Sequence, residues 1–328
     1  MIKSFDIIIP VFRPGETFLR LLSCLEGQRL KYSKLIIFNT VPDNDPSMRK
    51  KLEEMVSSTV KNMENVIIRH ISEAEFDHAG TRRAAAALSK ADAFICMTDD
   101  AVPADDRLTE ILIGALNRDE RIAISYARQL PRKEAGPAEA YTRQFNYPDK
   151  SCIKSIKDLD RLGIKTFFAS NACCAYKKKI YDQIGGFIDT AIFNEDMIYA
   201  SNALKNGYMS YYRADAMVYH SHSYTPLKEF SRNFDLGVSQ AMHPEVFGGI
   251  RSESEGIKLV LGTVRYLSSK GRLMEIPGFI LRSGLKLLGY RFGKNYGRLS
   301  DRAVLRFSMN KKYAEKIVAE RHKQDHGR

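Results

Sequence analysis

The chain has 328 residues, 44% hydrophobic and 27% charged, an ordinary globular composition with length enough for one large domain and an appendage. No apolar run approaches the eighteen or so residues of a spanning helix, and the first strand begins without a charged, cleavable leader, so the expected location is the cytosol. Cys24, Cys96, Cys152, Cys173 and Cys174 are odd in number and lack C-x-x-C spacing, which argues for free thiols and against a zinc or redox centre. The net charge of +12 is localised: residues 256–328 hold 17 Lys and Arg against 5 Asp and Glu, leaving 34 against 34 before them. A basic surface attracts nucleic acid, anionic lipid or phosphorylated substrate, but no RRM, helix-turn-helix or zinc-finger pattern is present and no nucleic-acid partner is expected.

Phe5–Val11 is an apolar, β-branched run stopped by Pro10 and Pro14, and Glu16–Gln28 places Phe18, Leu21, Leu22 and Leu25 at helical spacing. The alternation predicts a strand at Lys34–Phe38, a helix near Ser47–Ser57, a strand at Asn65–Ile71, a helix at Gly80–Ser89 and a strand at Ala93–Met97. Repeated β-α-β units with continuous apolar strands imply an α/β fold, a mostly parallel sheet covered by helices on both faces. Ligands in such sheets sit at the carboxyl ends of the strands. A helix (Asp106–Asn117), a strand (Ile122–Ala127) and a loop-rich polar stretch to Thr166 follow, the last long enough for an acceptor-binding insertion or a lid. From Phe167 come FFASNACCAYKK, a helix at Lys178–Ile184, a turn at Gly185-Gly186, a helix ending at Lys205 and two short strands ending at His220. From Pro226 on, the chain reads as amphipathic helices, giving domains of residues 1–225 and 226–328.

Asp99 and Asp100 leave the apolar run FICM at the carboxyl edge of the sheet. Adjacent carboxylates there repel one another and suit a divalent cation, Mg²⁺ or Mn²⁺, shared with substrate phosphates, unless they are simply turn acids capping the next helix. One unit upstream, Asp77, Gly80, Thr81 and Arg82 lie where backbone, hydroxyl and guanidinium can meet phosphate, or where a helix merely starts. Glu195 and Asp196 open a helix, where the dipole favours ionised acids. His220 and His222 follow a strand and alternate to one face, where either one satisfies a structural role or completes the Asp100 site.

These motifs in this order (DIIIPVFRPG, FDHAGTR, TDDA, NEDM and HSHSYT) resemble the family 2 glycosyltransferases of the GT-A fold, and most closely their rhamnosyltransferase-like branch, over about Phe5–Gly237. The resemblance implies that Asp100 holds the metal with His220 or His222, and that Asp196 is the catalytic base. It implies donor contacts from Pro10, Phe12 and Arg13 of the first motif, Thr40 after the second strand, Asp77, Gly80, Arg82, Asp99 and Glu195, with Arg232 of RNFDLG as a phosphate or acceptor contact. Asp43 and Thr40 fall where the family recognises the nucleobase, or in a plain turn. The implied reaction is an inverting displacement from a nucleotide-diphosphate sugar, dTDP-rhamnose by the branch, onto a growing or lipid-linked surface polysaccharide. A nucleotidyltransferase of similar fold is the competing reading; a dinucleotide oxidoreductase is disfavoured because VFRPG follows the first strand where G-x-G-x-x-G belongs. In the tail, Leu259, Val260, Leu261, Val264 and Leu267 alternate with Lys258, Arg265 and Lys270, a rhythm that fits packing on the catalytic domain or peripheral attachment to an anionic membrane.

Overall fold

The computed structural model describes residues 1–221, 224–249 and 253–326, which divide into two compact units. The first holds Met1–Asp189 and Glu195–Ser221; the second holds Thr190–Asn194 and the described residues beyond Ser221.

In the first unit, β1 (Phe5–Phe12), β2 (Leu35–Val41), β3 (Val66–Ser72) and β4 (Ala93–Met97) pair in parallel in the order β3-β2-β1-β4. Their crossovers are α1 (Glu16–Glu26), α2 (Met48–Thr59) and α3 (His78–Leu88). The inner strands β1, β2 and β4 are largely apolar because both their faces are covered, whereas β3 is only partly buried and carries Arg69 and His70. Ile7, Ile9, Leu35, Ile37 and Ile95 pack with Phe18, Leu21, Leu22 and Leu25 of α1 and with Leu52 and Val56 of α2. The alternate positions Ile8, Ile36, Phe94 and Cys96 pack on the other side with Ala85 and Ala86 of α3, Tyr176 and Tyr199. The period of two thus sorts one continuous run into two cores.

The chain continues through β5 (Val102–Pro103), α4 (Leu108–Asn117), β6 (Ile122–Leu130), α5 (Pro137–Asn146), β7 (Cys152–Lys154), α6 (Leu159–Leu162), β8 (Cys173–Lys177), α7 (Lys178–Gln183), α8 (Glu195–Lys205) and β9 (Met209–Tyr219). Here the sheet departs from the parallel expectation. β8 runs antiparallel to both β4 and β6, and β5 and β7 run antiparallel to β9. A parallel neighbour needs a crossover, whereas the long excursion between β6 and β8 lets the chain return in the opposite sense. That excursion, read from the sequence as loop-rich, carries α5, β7 and α6. The two short strands expected before His220 are one strand, β9, broken by a step in register. Ala127 pairs with Arg213 but Arg128 with Met217, so residues 214–216 bulge out.

The second unit is helical: α9 (Pro226–Met242), α10 (Pro244–Phe247), α11 (Glu253–Ser269), α12 (Ile276–Lys294), α13 (Asp301–Phe307) and α14 (Lys311–His326). Its core is built from Ile192, Phe234, Val238, Val304, Tyr313, Ala314 and Ile317. Asp235 is fully buried and accepts from the amides of Met309 (2.9 Å) and Asn310 (3.1 Å), tying α9 to the connection between α13 and α14. Burial holds its carboxyl up at about 6.

Candidate active site

Two acidic pairs stand in the first unit. At the end of β4, Asp99 Oδ2 accepts the Phe12 amide (3.1 Å), joining the exits of β1 and β4. Burial is the main reason its carboxyl rises to about 6, and the neighbouring Asp100 charge adds to it. Asp100 faces two other groups. Its Oδ2 lies 3.5 Å from Arg132 Nη2, which also donates to the Asp100 carbonyl at 2.9 Å, and its Oδ1 lies 3.3 Å from His220 Nε2.

The orientation of the His220 ring follows from its neighbours. Gln129, near the end of β6, donates through Nε2 to Ser170 Oγ (2.9 Å), while its Oε1 accepts from Arg143 Nη1 (2.5 Å) and lies 2.8 Å from His220 Nδ1. A guanidinium can only donate, so the amide oxygen must be the atom turned towards Arg143. His220 Nδ1 must then donate to that same oxygen, which in the neutral ring turns the Nε2 lone pair towards Asp100 Oδ1. Two acceptors at 3.3 Å are held together only by a shared proton or a cation. An imidazole nitrogen and a carboxylate oxygen, with the far ring nitrogen bonded to a fixed amide, make a donor set that fits a divalent cation. Among the described residues no cluster of three or more His, Cys, Asp or Glu is gathered for a metal, so further ligands would come from substrate phosphates and water. His222 lies outside the described residues.

The second pair opens α8. Glu195 and Arg82 are both buried, their side chains 6% exposed, with Oε1 and Nη1 3.0 Å apart. Asn171 organises the rest. Its side-chain amide donates to Glu195 Oε1 (3.0 Å), its Oδ1 accepts from Tyr176 (2.7 Å), and its backbone N–H donates to Asp196 Oδ2 (2.9 Å). Asp196 Oδ1 accepts from the Met197 amide at 2.8 Å. Desolvation, followed by the charge of Glu195, pushes the Asp196 carboxyl up to about 7, against the pull of these two N–H groups and of Arg82. A carboxylate with that proton affinity is matched to proton abstraction near neutral pH.

The remaining expected contacts divide by position. Arg82 is engaged by Glu195 and by the carbonyl of His78 (3.0 Å), and Asp77 Oδ1 caps α3 by accepting from Ala79 (2.9 Å) and Gly80 (2.8 Å). A Cβ on Gly80 would lie 2.8 Å from the Asp189 carbonyl, so this glycine admits a neighbouring loop. At the β1–β2 edge, Pro10 pairs with Phe38 and Phe12 with Thr40. Phe12 is exposed, and Arg13, at φ +52°, lays its guanidinium 5.2 Å from the Phe12 ring centroid. The buried Thr40 hydroxyl has no hydrogen-bond partner among the described residues, and Asp43 is exposed. Arg232 belongs to the second unit, where it stacks on Phe193 at 5.2 Å. Arg132, Gln129, Arg143 and Asn171 were not anticipated from the sequence; the only local signal was a lone amide inside each of the runs AISYARQL and FFASNACC.

Comparison with known proteins identifies the family. Residues 6–185 match the model of the family described as glycosyl transferase family 2. The chain is 35% identical over 318 residues, 96% of its length and 97% of the relative's, to the O-antigen chain rhamnosyltransferase RfbN of Salmonella typhimurium. It is also 35% identical over 319 residues, 96% of each chain, to the O-antigen chain rhamnosyltransferase WbaN of Salmonella anatum. Among solved structures, the mannosyltransferase PcManGT from Pyrobaculum calidifontis, in complex with GDP-Man and Mn²⁺, superposes with a TM-score of 0.61 at 9% identity, covering 89% of this chain and 87% of that one, a likeness of fold. A family match over residues 6–185, relatives 35% identical along nearly the whole chain and a shared fold lead to one assignment: the chain belongs to glycosyl transferase family 2, and it is a glycosyltransferase of the GT-A fold.

Proposed function

We propose that this glycosyltransferase moves rhamnose, with inversion, from dTDP-rhamnose to a hydroxyl of a growing, lipid-linked surface polysaccharide, using a divalent cation, Mg²⁺ or Mn²⁺. The names of the two rhamnosyltransferase relatives support the sugar and the acceptor class, and the Mn²⁺ named with PcManGT supports the ion. The observation that carries the mechanism is the presence on one unit of a carboxylate–imidazole couple facing across 3.3 Å and of a second carboxylate, Asp196, held by two backbone N–H groups beside Glu195.

Asp100 and His220 would hold the cation, which when bound would neutralise charge on the departing diphosphate. Gln129 and Arg143 keep the imidazole in the tautomer that presents Nε2. Arg132 offsets the second Asp100 oxygen and, only partly buried, offers a further cationic contact for phosphate. Asp196 takes the proton from the acceptor hydroxyl as that oxygen attacks the anomeric carbon; a single displacement from the opposite face inverts the configuration. Glu195, paired with Arg82, positions the start of α8 together with Asn171. Phe12, Arg13 and the buried Thr40 hydroxyl support a nucleobase contact, with Pro10 and Asp99 shaping the same strand exits and Asp77 and Gly80 shaping the start of α3. Arg232 is proposed as an acceptor-side contact. Residues 1–225 serve as the catalytic domain and 226–328 as an extension that meets an anionic membrane surface.

The test is a panel of nucleotide sugars screened for protection against thermal unfolding with Mn²⁺ and with chelator. dTDP-rhamnose should raise the melting temperature only with metal, and turnover should release a nucleoside diphosphate. Release of pyrophosphate would indicate nucleotidyl transfer instead.

A further inference from the structure

The membrane reading leaves open which part of the extension would do the binding, and the second unit carries a specific surface. Among the described residues, sixteen large hydrophobic side chains are exposed, and nine of them (Ile257, Leu261, Leu273, Met274, Ile280, Leu281, Leu287, Leu288 and Phe292) fall between Glu253 and Lys294, the hairpin of α11 and α12. Scattered exposed apolar residues need no explanation, but their concentration in one helical hairpin does.

The reason lies in α12, which is apolar on both sides. Its inner face is pinned against α9. A Cβ on Gly289 would strike the Phe230 carbonyl, one on Gly293 the Phe234 carbonyl, and one on Gly237 of α9 the Tyr290 carbonyl, so the two helices meet backbone to backbone at small residues. With that face fixed, Ile280, Leu281, Gly284, Leu287 and Leu288 recur at helical spacing on the opposite side and are exposed. α11 contributes Ile257 and Leu261, one turn apart and exposed, beside Lys258 and Arg265. The connection between the helices bears the exposed Leu273 and Met274, the latter 94% exposed, flanked by Lys270 and Arg272. Over residues 253–294 there are 8 Lys and Arg against 3 Glu, a net charge of +5. Among the described residues no helix is long and apolar enough to cross a membrane. A rigid face with apolar side chains beside cationic ones, on helices too polar to span, suits the headgroup level of a negatively charged bilayer.

We infer that the α11–α12 hairpin is the membrane-docking element, seating its outer face on an anionic lipid surface with Leu273 and Met274 inserted below the headgroups. This rests on the proposed acceptor class for its purpose but not for its test, because lipid binding is read without turnover. The full chain is sedimented with vesicles of phosphatidylglycerol and phosphatidylethanolamine and with vesicles of phosphatidylcholine alone. Binding to the anionic vesicles should be at least tenfold tighter and should fall as salt rises. The double variant Leu273→Asp/Met274→Asp and, separately, Leu281→Asp/Leu288→Asp should each weaken it at least tenfold while leaving the melting temperature and donor protection unchanged, since these side chains are exposed. Absence of binding by the intact chain would overturn the proposal. Unchanged binding by both variants would do the same, as would concentration-dependent dimerisation that either variant abolishes, which would make the face a contact between two copies. In each case glycosyl transfer to a soluble acceptor would stand or fall separately.

Discussion

The two acidic pairs of the first unit are built from the same residue types and end in different surroundings. Asp99-Asp100 stands at a strand exit, where Asp100 faces an imidazole and a guanidinium across gaps of 3.3 and 3.5 Å. Glu195-Asp196 stands at a helix start, where Glu195 is closed off by Arg82 at 3.0 Å and Asp196 is left with backbone N–H groups and a raised proton affinity. What separates them is the partner each carboxylate meets. A charge beside a tautomer-locked histidine is suited to a cation, and a half-buried charge beside another carboxylate is suited to a proton. Buried pairs such as Arg82–Glu195 add little net stability but fix geometry when one partner orients a neighbour, which is the part Asn171 plays here.

The sharpest break of this comparison is Asp100→Asn, expected to lower kcat about a thousandfold or more and to remove Mn²⁺-dependent donor protection, read by melting with and without metal. Next comes Asp196→Asn, for which kcat should fall about a hundredfold while donor protection persists. The same substitution should raise the melting temperature at pH 8. The folded carboxyl titrates near 7, above its unfolded value, so the wild type loses stability as pH rises from about 4 through 7, and the amide carries no such cost. For the same reason wild-type kcat should drop as pH falls below about 7, and a rate flat to pH 5 would remove Asp196 from the role of base. Gln129→Leu frees the His220 tautomer and should weaken metal affinity about 10–100-fold, measured by Mn²⁺ titration, with kcat at saturating metal much less affected. The smallest effect is expected from Asp99→Asn, a loss of a few-fold in kcat/KM, because its bond to the Phe12 amide positions a strand exit and an amide oxygen accepts the same N–H.

Much of this was legible from residues 1–97. Strands bounded by Pro, Gly and Asp, with crossover helices of matching period, specify a parallel sheet locally, and β4 ends where its apolar run ends, at Met97, which placed Asp99 and Asp100 at the ligand edge. The start of α8 was equally visible, since two acids before an apolar helix are a local signal. The direction of β8 was not, because CCAYK is buried on both faces whichever way it runs, and only its pairing with β4 and β6 decides between them. Nor was the bulge in β9, which exists in register with β6 and not in its own sequence. The same limit hid the groups that tune the site. Gln129 meets His220 across 91 positions in the chain and Asn171 meets Asp196 across 25, whereas sequence periodicity reports on neighbours three or four residues apart. Residue types and element order therefore sufficed to put one acidic pair at a strand exit and the other at a helix start, while the ring orientation of His220 and the raised proton affinity of Asp196 were set by burial and by partners that only the folded chain brings together.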